Sequence, residues 1–372
     1  MLEDYEELAT GRMNSLFAGD VEAHATDLDS AIRGRRIAVV GAAGSIGSAL
    51  VKRLVGYSPG NLTLVDLSEN NLVELVRDLR SGPETLPPEF RTLSIGLGSP
   101  EFARFFSESP PFDFVFNLSA IKHVRGERNA YGIARMVDTN MLFLDEFLGA
   151  LPYSLERFFS VSSDKATAPA SLMGASKFGM EQVLRRHAER HPYSTARFAN
   201  VAYSDGSLLH GFLRRIEKRQ PIAAPQGIRR FFMSHREAGE LCLLAGILGL
   251  NREVFFPRLV ESLHERSLPE IAKATLAKAG FEAVECESEA EAKQRMTECL
   301  AEMRWPCFFS PSSTSGEKAF EEFHVASDDV DLSRFQAIGV VRPTSADLDL
   351  DLDLDLVDHQ CRFSPTFVKA SH

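Results

Sequence analysis

Residues 160–177 read SVSSDKATAPASLMGASK. The stretch holds a hydroxyl (Ser163), a carboxyl (Asp164) and two amines (Lys165 and Lys177), groups able to exchange protons with a substrate. Asp164 and Lys165 are adjacent, so they titrate as a pair rather than singly. In water they form an ion pair. Acid–base work with the lysine as base and the aspartic acid as acid needs both neutral, and burial pushes that way because it disfavours either charge. On an open loop the same Asp-Lys would do no chemistry, so the surroundings decide.

A second constellation lies upstream. GAAGSIG (41–47) places Gly41, Gly44 and Gly47 at a spacing that lets the backbone turn tightly and approach a pyrophosphate, with Ser45 and Ile46 opening a helix beneath it. The glycines alone are a weak signal. Their context is strong: they follow a buried strand, and the next strand, LTLVD (62–66), ends in Asp66. That carboxylate is placed to accept from the ribose hydroxyls of a dinucleotide and would repel a 2′-phosphate, which favours NAD over NADP.

The elements that must hold these groups alternate. Short apolar strands are expected at Ile37–Val40, 62–66, 114–117, 158–162, 195–199 and 253–256. Helical stretches lie between them: one after Gly47, then 70–80, 132–149, 174–190 and 236–248. The pattern implies βαβ units and a Rossmann-like, doubly wound parallel sheet of the α/β class. SSDK then sits at the carboxyl edge of the sheet, where such folds place ligands. Residues 1–33 read as a helical arm, 34–200 as the dinucleotide-binding domain with a contribution from about 229–258, and 201–228 with 259–345 as a smaller substrate-binding region. A helix is expected over 267–281 and a charged helix over 287–303. The tail, 346–372, contains DLDLDLDLDL, a solvated or disordered segment.

Bulk properties narrow the function. The chain has 372 residues and a formal net charge of −11, which argues against a nucleic-acid partner. No apolar run approaches a membrane span, and the N-terminus lacks the order of a signal peptide. Five scattered cysteines without a C-x-x-C suit free thiols in a reducing cytoplasm and offer no metal framework. His187 and His191, at i and i+4, have a metal-capable spacing but read as a solvated face of an outer helix.

Taken with FNLSAIKHV (116–124), DTN (138–140), ARFANVAYSDGSLL (196–209), RRFFM (229–233) and SGEK (315–318), these motifs resemble the bacterial UDP-N-acetylglucosamine 4,6-dehydratase family of extended short-chain dehydrogenase/reductases. The resemblance covers roughly residues 35–325. It implies an NAD-dependent lyase in surface-polysaccharide biosynthesis that oxidises C4 of the sugar, removes the C5 hydrogen, expels the C6 hydroxyl as water and returns the stored hydride to C6. By the same resemblance Lys165 is the base at C5, Asp164 the acid at O6, Ser163 the partner of the C4 hydroxyl and Lys177 the holder of the nicotinamide ribose. Ser119, Ala120 and Asn140 fall at cofactor positions. Lys122, His123, Asn200, Ser207, Arg230 and Glu317 fall at substrate positions. A homo-oligomer is implied, with a UDP-sugar as substrate.

The departures matter as much. Met173 stands where many such enzymes carry the catalytic tyrosine, and a thioether takes no proton. Asp164 as carboxylate could accept the C4 hydroxyl proton, directly or through Ser163 or a water, and then serve as the acid at O6. Asp205 stands where relatives have arginine, and Leu118-Ser119 replaces small alanines. Arg197, Arg214, Arg215, Arg229 and Arg230 remain as candidates for binding a diphosphate. A C4 epimerase would need the tyrosine but not the Asp-Lys pair. A non-catalytic nucleotide-sugar-binding protein is the remaining alternative.

Overall fold

The computed structural model describes residues 2–122, 129–258, 265–311 and 321–344. His123, Glu317 and the DLDLDLDLDL tail lie outside the described residues. The chain forms two compact units. One comprises residues 17–122, 129–198, 238–258 and 322–344; the other comprises 2–16, 199–237, 265–311 and 321.

The first unit is built on a nine-stranded sheet. From one edge to the other the strands are Asp329–Asp331, Ile338–Arg342, Glu253–Pro257, Tyr193–Phe198, Arg157–Ser163, Phe114–Asn117, Arg36–Val40, Asn61–Val65 and Glu89–Leu93. All neighbours from Glu253–Pro257 to Glu89–Leu93 pair parallel, and the two strands beyond Pro257 pair antiparallel. The central strands are buried end to end because helices cover both faces: Phe114–Asn117 and Tyr193–Phe198 are buried at every residue, polar side chains included. In chain order the first six parallel strands lie 3-2-1-4-5-6, the order of a Rossmann-like sheet. The order reverses between Arg36–Val40 and Phe114–Asn117, and this switch point is where such a sheet opens a crevice at its carboxyl edge.

One face packs on a cluster rich in phenylalanine. Phe106 meets Phe147 edge-on with ring centroids 4.8 Å apart, and Phe102, Phe112 and Phe158 join them in the same core. Side-chain caps set the helix starts that matter below. Ser68 Oγ accepts from Asn71 N, and Ser171 Oγ accepts from Gly174 N at 3.1 Å, opening the helix Leu172–His187.

Two expectations from sequence are corrected here. The stretch 132–149 is not one α-helix: Ala130–Val137 passes through a π turn, Asp138–Leu142, before Phe143–Ala150. The extra residue rotates the side chains of that turn relative to a regular helix. The stretch 287–303 is likewise not one helix. Glu289–Gln294 and Met296–Ala301 are separate short helices, preceded by the strand Glu282–Cys286.

The second unit carries a three-stranded parallel sheet, Glu282–Cys286, Arg304–Pro311 and Ile222–Gln226. The helix Leu268–Lys278 starts at a capping box formed by Ser267 and Glu270. Its core gathers Phe212, Ile271, Leu276 and Trp305. No helix among the described residues is long and apolar enough to cross a membrane.

Candidate active site

Two loops at the switch point form the first half of the site. Gly41 has φ +77° and lies against the backbone of Leu118 and Ser119; a Cβ there would sit 2.7 Å from Ser119 N. At Gly47 a Cβ would be 2.1 Å from the carbonyl oxygen of Gly41. These two glycines are therefore required by the loop itself. Gly44 differs, since a Cβ would meet only Gly41 O at 3.5 Å. Gly44 also precedes the helix Ser45–Val55, whose start no side chain caps. A helix N-terminus without a side-chain cap is the arrangement that can receive a phosphate on its amides. Ile46 and Gly47 are the next residues of that helix.

Asp66 follows directly on the neighbouring strand Asn61–Val65. Its Oδ2 accepts from Ala43 N and its Oδ1 from Ser68 N, both at 2.9 Å. The carboxylate thereby locks the glycine loop to the end of its strand, and each oxygen keeps a lone pair for a ribose hydroxyl. Ser119 N donates to Asn117 Oδ1 at 3.2 Å, and Ala120 is the next residue of that loop. Asn140 lies in the π turn and is almost fully buried. Its side chain takes the Ile121 amide at 3.0 Å, donates to Ile121 O at 3.1 Å and donates to Ser176 Oγ at 2.9 Å. It ties the loop 118–121 to the helix that bears Lys177, a strut rather than an open ligand group.

The second half is the end of the strand Arg157–Ser163. Ser163 Oγ donates to Asp164 Oδ1 at 2.7 Å and accepts from Lys165 N at 3.3 Å, capping a single 3₁₀ turn over Asp164–Ala166. Lys165 Nζ reaches the same carboxylate, at 3.0 Å to Oδ1 and 3.3 Å to Oδ2. Asp164 is 5% exposed, while the Lys165 side chain is 32% exposed, so the lysine has an open side and the carboxylate is shielded. Hydroxyl, carboxyl and amine thus form one connected cluster.

The helix Leu172–His187 closes over this turn. At Gly174 a Cβ would be 2.5 Å from Lys165 O, so a side chain there would force the helix and the turn apart. Met173 is buried, and Ser176 Oγ donates to Met173 O at 2.8 Å. Lys177 is 4% exposed; its Nζ donates to Val161 O at 2.8 Å and lies 3.8 Å from Met180 Sδ. Burial pulls this lysine down from its ordinary 10.5 to about 8, against the opposing pull of Glu181 one turn further on.

The second unit holds the remaining substrate-position residues. Asn200 Nδ2 donates to Glu321 Oε1 at 2.8 Å. Ser207 Oγ accepts from His210 N, capping the helix Leu208–Glu217. Arg230 is partly buried, and its Nη1 donates to Arg229 O. In the first unit, Lys122 is exposed.

Two readings of outlying residues change. Arg197 does not face a ligand. It is buried, its Nε and Nη2 bind Glu181 at 3.1 and 2.8 Å, and its Nη1 binds Phe323 O at 2.7 Å. His187 and His191 do not form a solvated face. His191 is 1% exposed and bridges Leu148 O and Leu155 N, and burial pulls it down to about 4. His187 Nε2 pairs with Asp145 Oδ1 at 2.7 Å. Among the described residues no cluster of His, Cys, Asp or Glu could hold a metal.

A family model described as "Polysaccharide biosynthesis protein" matches residues 37–307. The chain belongs to that family. It is 27% identical over 329 residues to an uncharacterized membrane protein of Methanocaldococcus jannaschii, covering 86% of this chain and 90% of that one. It is 28% identical over 239 residues to the capsular polysaccharide biosynthesis protein CapD of Staphylococcus aureus, covering 62% of this chain but only 39% of CapD. Among solved structures it resembles Pen from Bacillus thuringiensis, with a TM-score of 0.68 and 18% identity over 88% of this chain and 97% of that one. It also resembles Bordetella bronchiseptica WbmF in complex with NAD+, with a TM-score of 0.54 and 18% identity over 68% and 81% of the two chains. The likenesses to solved structures agree with the Rossmann-like fold described above.

Proposed function

We propose that the protein is an NAD-dependent nucleotide-sugar 4,6-dehydratase acting on UDP-N-acetylglucosamine in the synthesis of a surface polysaccharide or glycoconjugate. The observation that carries this reading is the Ser163–Asp164–Lys165 cluster, a hydroxyl, a carboxylate and an amine joined by hydrogen bonds. The residues of the glycine loop and Asp66 fit a dinucleotide: two glycines admit no side chain, no side chain caps the helix start, and the Asp66 carboxylate lies against the loop, where it would accept from a ribose. NAD, when bound, supplies a hydride acceptor that can return what it takes.

The chain's own groups would do the rest. Asp164 as carboxylate accepts the Ser163 proton, and Ser163 in turn accepts one from the C4 hydroxyl. The cluster thus relays a proton without a tyrosine. Lys165 gives up its ammonium proton to solvent on its exposed side, and as the neutral amine it removes the C5 hydrogen and later returns a proton to C5. Asp164 then holds the proton that leaves with the C6 hydroxyl as water. One proton passes from O4 to O6 through one carboxyl group. Lys177, buried with its Nζ on Val161 O, is assigned to the nicotinamide ribose.

A C4 epimerase is the second reading. The chain is 22% identical over 240 residues to a UDP-glucose 4-epimerase of Rickettsia bellii, which favours it. Met173 speaks against it, because an epimerase of this fold needs a proton acceptor there. Incubating the protein with a panel of nucleotide sugars and analysing the products by mass spectrometry tests both. Loss of one water from UDP-N-acetylglucosamine is expected. A product of unchanged mass with inverted C4 would favour the epimerase, and no turnover of any sugar would favour a binding protein. Denaturing the protein and identifying the released cofactor tests the choice of NAD; a release of mainly NADP would overturn it.

A further inference from the structure

We propose that Glu181 and Arg197 are a positioning pair for the candidate active site, fixing the end of the strand that bears Ser163, Asp164 and Lys165 and supplying the negative charge that faces Lys177. This rests on reading the Ser163–Lys177 cluster as the reacting site.

Glu181 lies one turn after Lys177 on the same helix face and is 2% exposed. Its carboxylate takes three donors. Ser162 Oγ binds Oε1 at 2.6 Å, Arg197 Nε binds Oε1 at 3.1 Å, and Arg197 Nη2 binds Oε2 at 2.8 Å. The arginine contact is two-pronged, the geometry in which a guanidinium fixes a carboxylate in direction as well as distance. Arg197 is the register partner of Ser162 across the parallel pair of strands. Helix, strand end and neighbouring strand are therefore joined at one point, one residue before Ser163. The remaining arm of Arg197 binds Phe323 O at 2.7 Å, and Phe323 stacks on Phe256 with ring centroids 5.9 Å apart.

A buried ion pair is weak evidence for stability, because well-packed apolar groups serve as well. Its location is the informative part. Burial alone penalises both charges. Despite that penalty, Arg197 and Ser162 hold Glu181 below the usual carboxylate range, and Glu181 holds Arg197 above its ordinary value. The pair stays ionised. The other charged or titratable groups acting on it are Arg185, Asp328 and Tyr193. For Lys177, Glu181 is the group that opposes the effect of burial. Glu181 touches neither cluster directly by hydrogen bond to Asp164 or Lys165, so its part is to position and to set charge.

The test uses full-length protein labelled with ¹³C at lysine Cε, with the Lys177 signal assigned through Lys177→Arg. Glu181→Gln removes the charge and keeps the shape. It leaves Arg197 buried without a counter-ion and can fail to fold. Glu181→Gln combined with Arg197→Met removes both charges and is the companion variant. The Lys177 midpoint is expected to lie at lower pH in both variants than in the native protein, because the charge that opposes the effect of burial is gone. With the nucleotide sugar that the native protein turns over, kcat is expected to fall on the order of 10-fold or more with KM little changed, since a small displacement of reacting groups is costly. A folded double variant whose Lys177 midpoint equals that of the native protein overturns the proposal, as does one with native kcat. The lysine titration reads out even if no sugar is turned over, so failure of the dehydratase reading remains distinguishable from failure of this one.

Discussion

The Ser163 hydroxyl donates to Asp164 Oδ1 at 2.7 Å, and Lys165 Nζ meets the same oxygen at 3.0 Å. One carboxylate oxygen is thus the meeting point of the group proposed to bond the C4 hydroxyl and the group proposed as the base at C5. This is the feature that could replace the absent tyrosine, and it sets the first expectation.

Asp164→Asn should block the first oxidation and not only the loss of water. An amide can hydrogen-bond to Ser163 but cannot keep a proton taken from it. On rapid mixing with substrate no NADH absorbance should develop, and the rate should fall by roughly 10²–10⁴-fold. If bound NADH accumulates together with a 4-keto sugar, Asp164 acts only at O6 and the relay is wrong.

Lys165 and Lys177 should separate in their effects on the cofactor. Lys165 faces the carboxylate, whereas Lys177 is buried on Val161 O. Lys165→Ala should abolish elimination and leave NAD bound. Lys177→Ala should weaken both. Equal loss of cofactor from the two variants, measured after gel filtration, would contradict the assignment of roles.

Lys177 should also leave a signature in stability. Folding lowers it from 10.5 to about 8. Between those values the unfolded chain binds more protons than the folded one, so stability rises with pH through that window and the penalty persists below it. The full difference corresponds to roughly 3 kcal/mol. Denaturant unfolding of native protein and Lys177→Met, compared between neutral pH and pH above 10.5, should show the native protein gaining on the variant as pH rises. A constant gap would mean that the lysine is not depressed.

Gly44 offers a cleaner probe of the cofactor loop than its neighbours. Gly41→Ala and Gly47→Ala strike backbone and should damage the loop itself, whereas Gly44→Ala meets only one oxygen at 3.5 Å. Gly44→Ala should melt with the native protein and yet bind NAD more weakly, because the added methyl occupies the space a pyrophosphate needs. Unchanged affinity by calorimetry would argue against phosphate binding at this loop.

Much of this was legible in the chain. Six of the seven parallel strands of the main sheet announced themselves as short apolar runs, and the glycine spacing with Asp66 marked the cofactor loop, because both features are local; the edge strand Glu89–Leu93 did not, since its half-exposed EFRTL carries no apolar run. What escaped the sequence depends on tertiary contact. The π turn at Asp138–Leu142 is set by Asn140 reaching Ile121 and Ser176, far away along the chain. His191 reads as a surface residue by its neighbours Glu189 and Arg190, yet it is buried because Leu148 and Leu155 fold over it. Arg197 looked available for a phosphate until Glu181 claimed it. A signal for Glu181 did exist: its spacing of one turn from Lys177 puts both on one helix face.

The most direct test of the dehydratase reading is turnover of UDP-N-acetylglucosamine in D₂O by the native protein, followed by mass spectrometry and NMR. Removal of the C5 hydrogen by Lys165 and its replacement from solvent should give a 4-keto-6-deoxy product that has lost one water and carries one deuterium at C5. A product of unchanged mass, inverted at C4 and free of deuterium at C5, would contradict it.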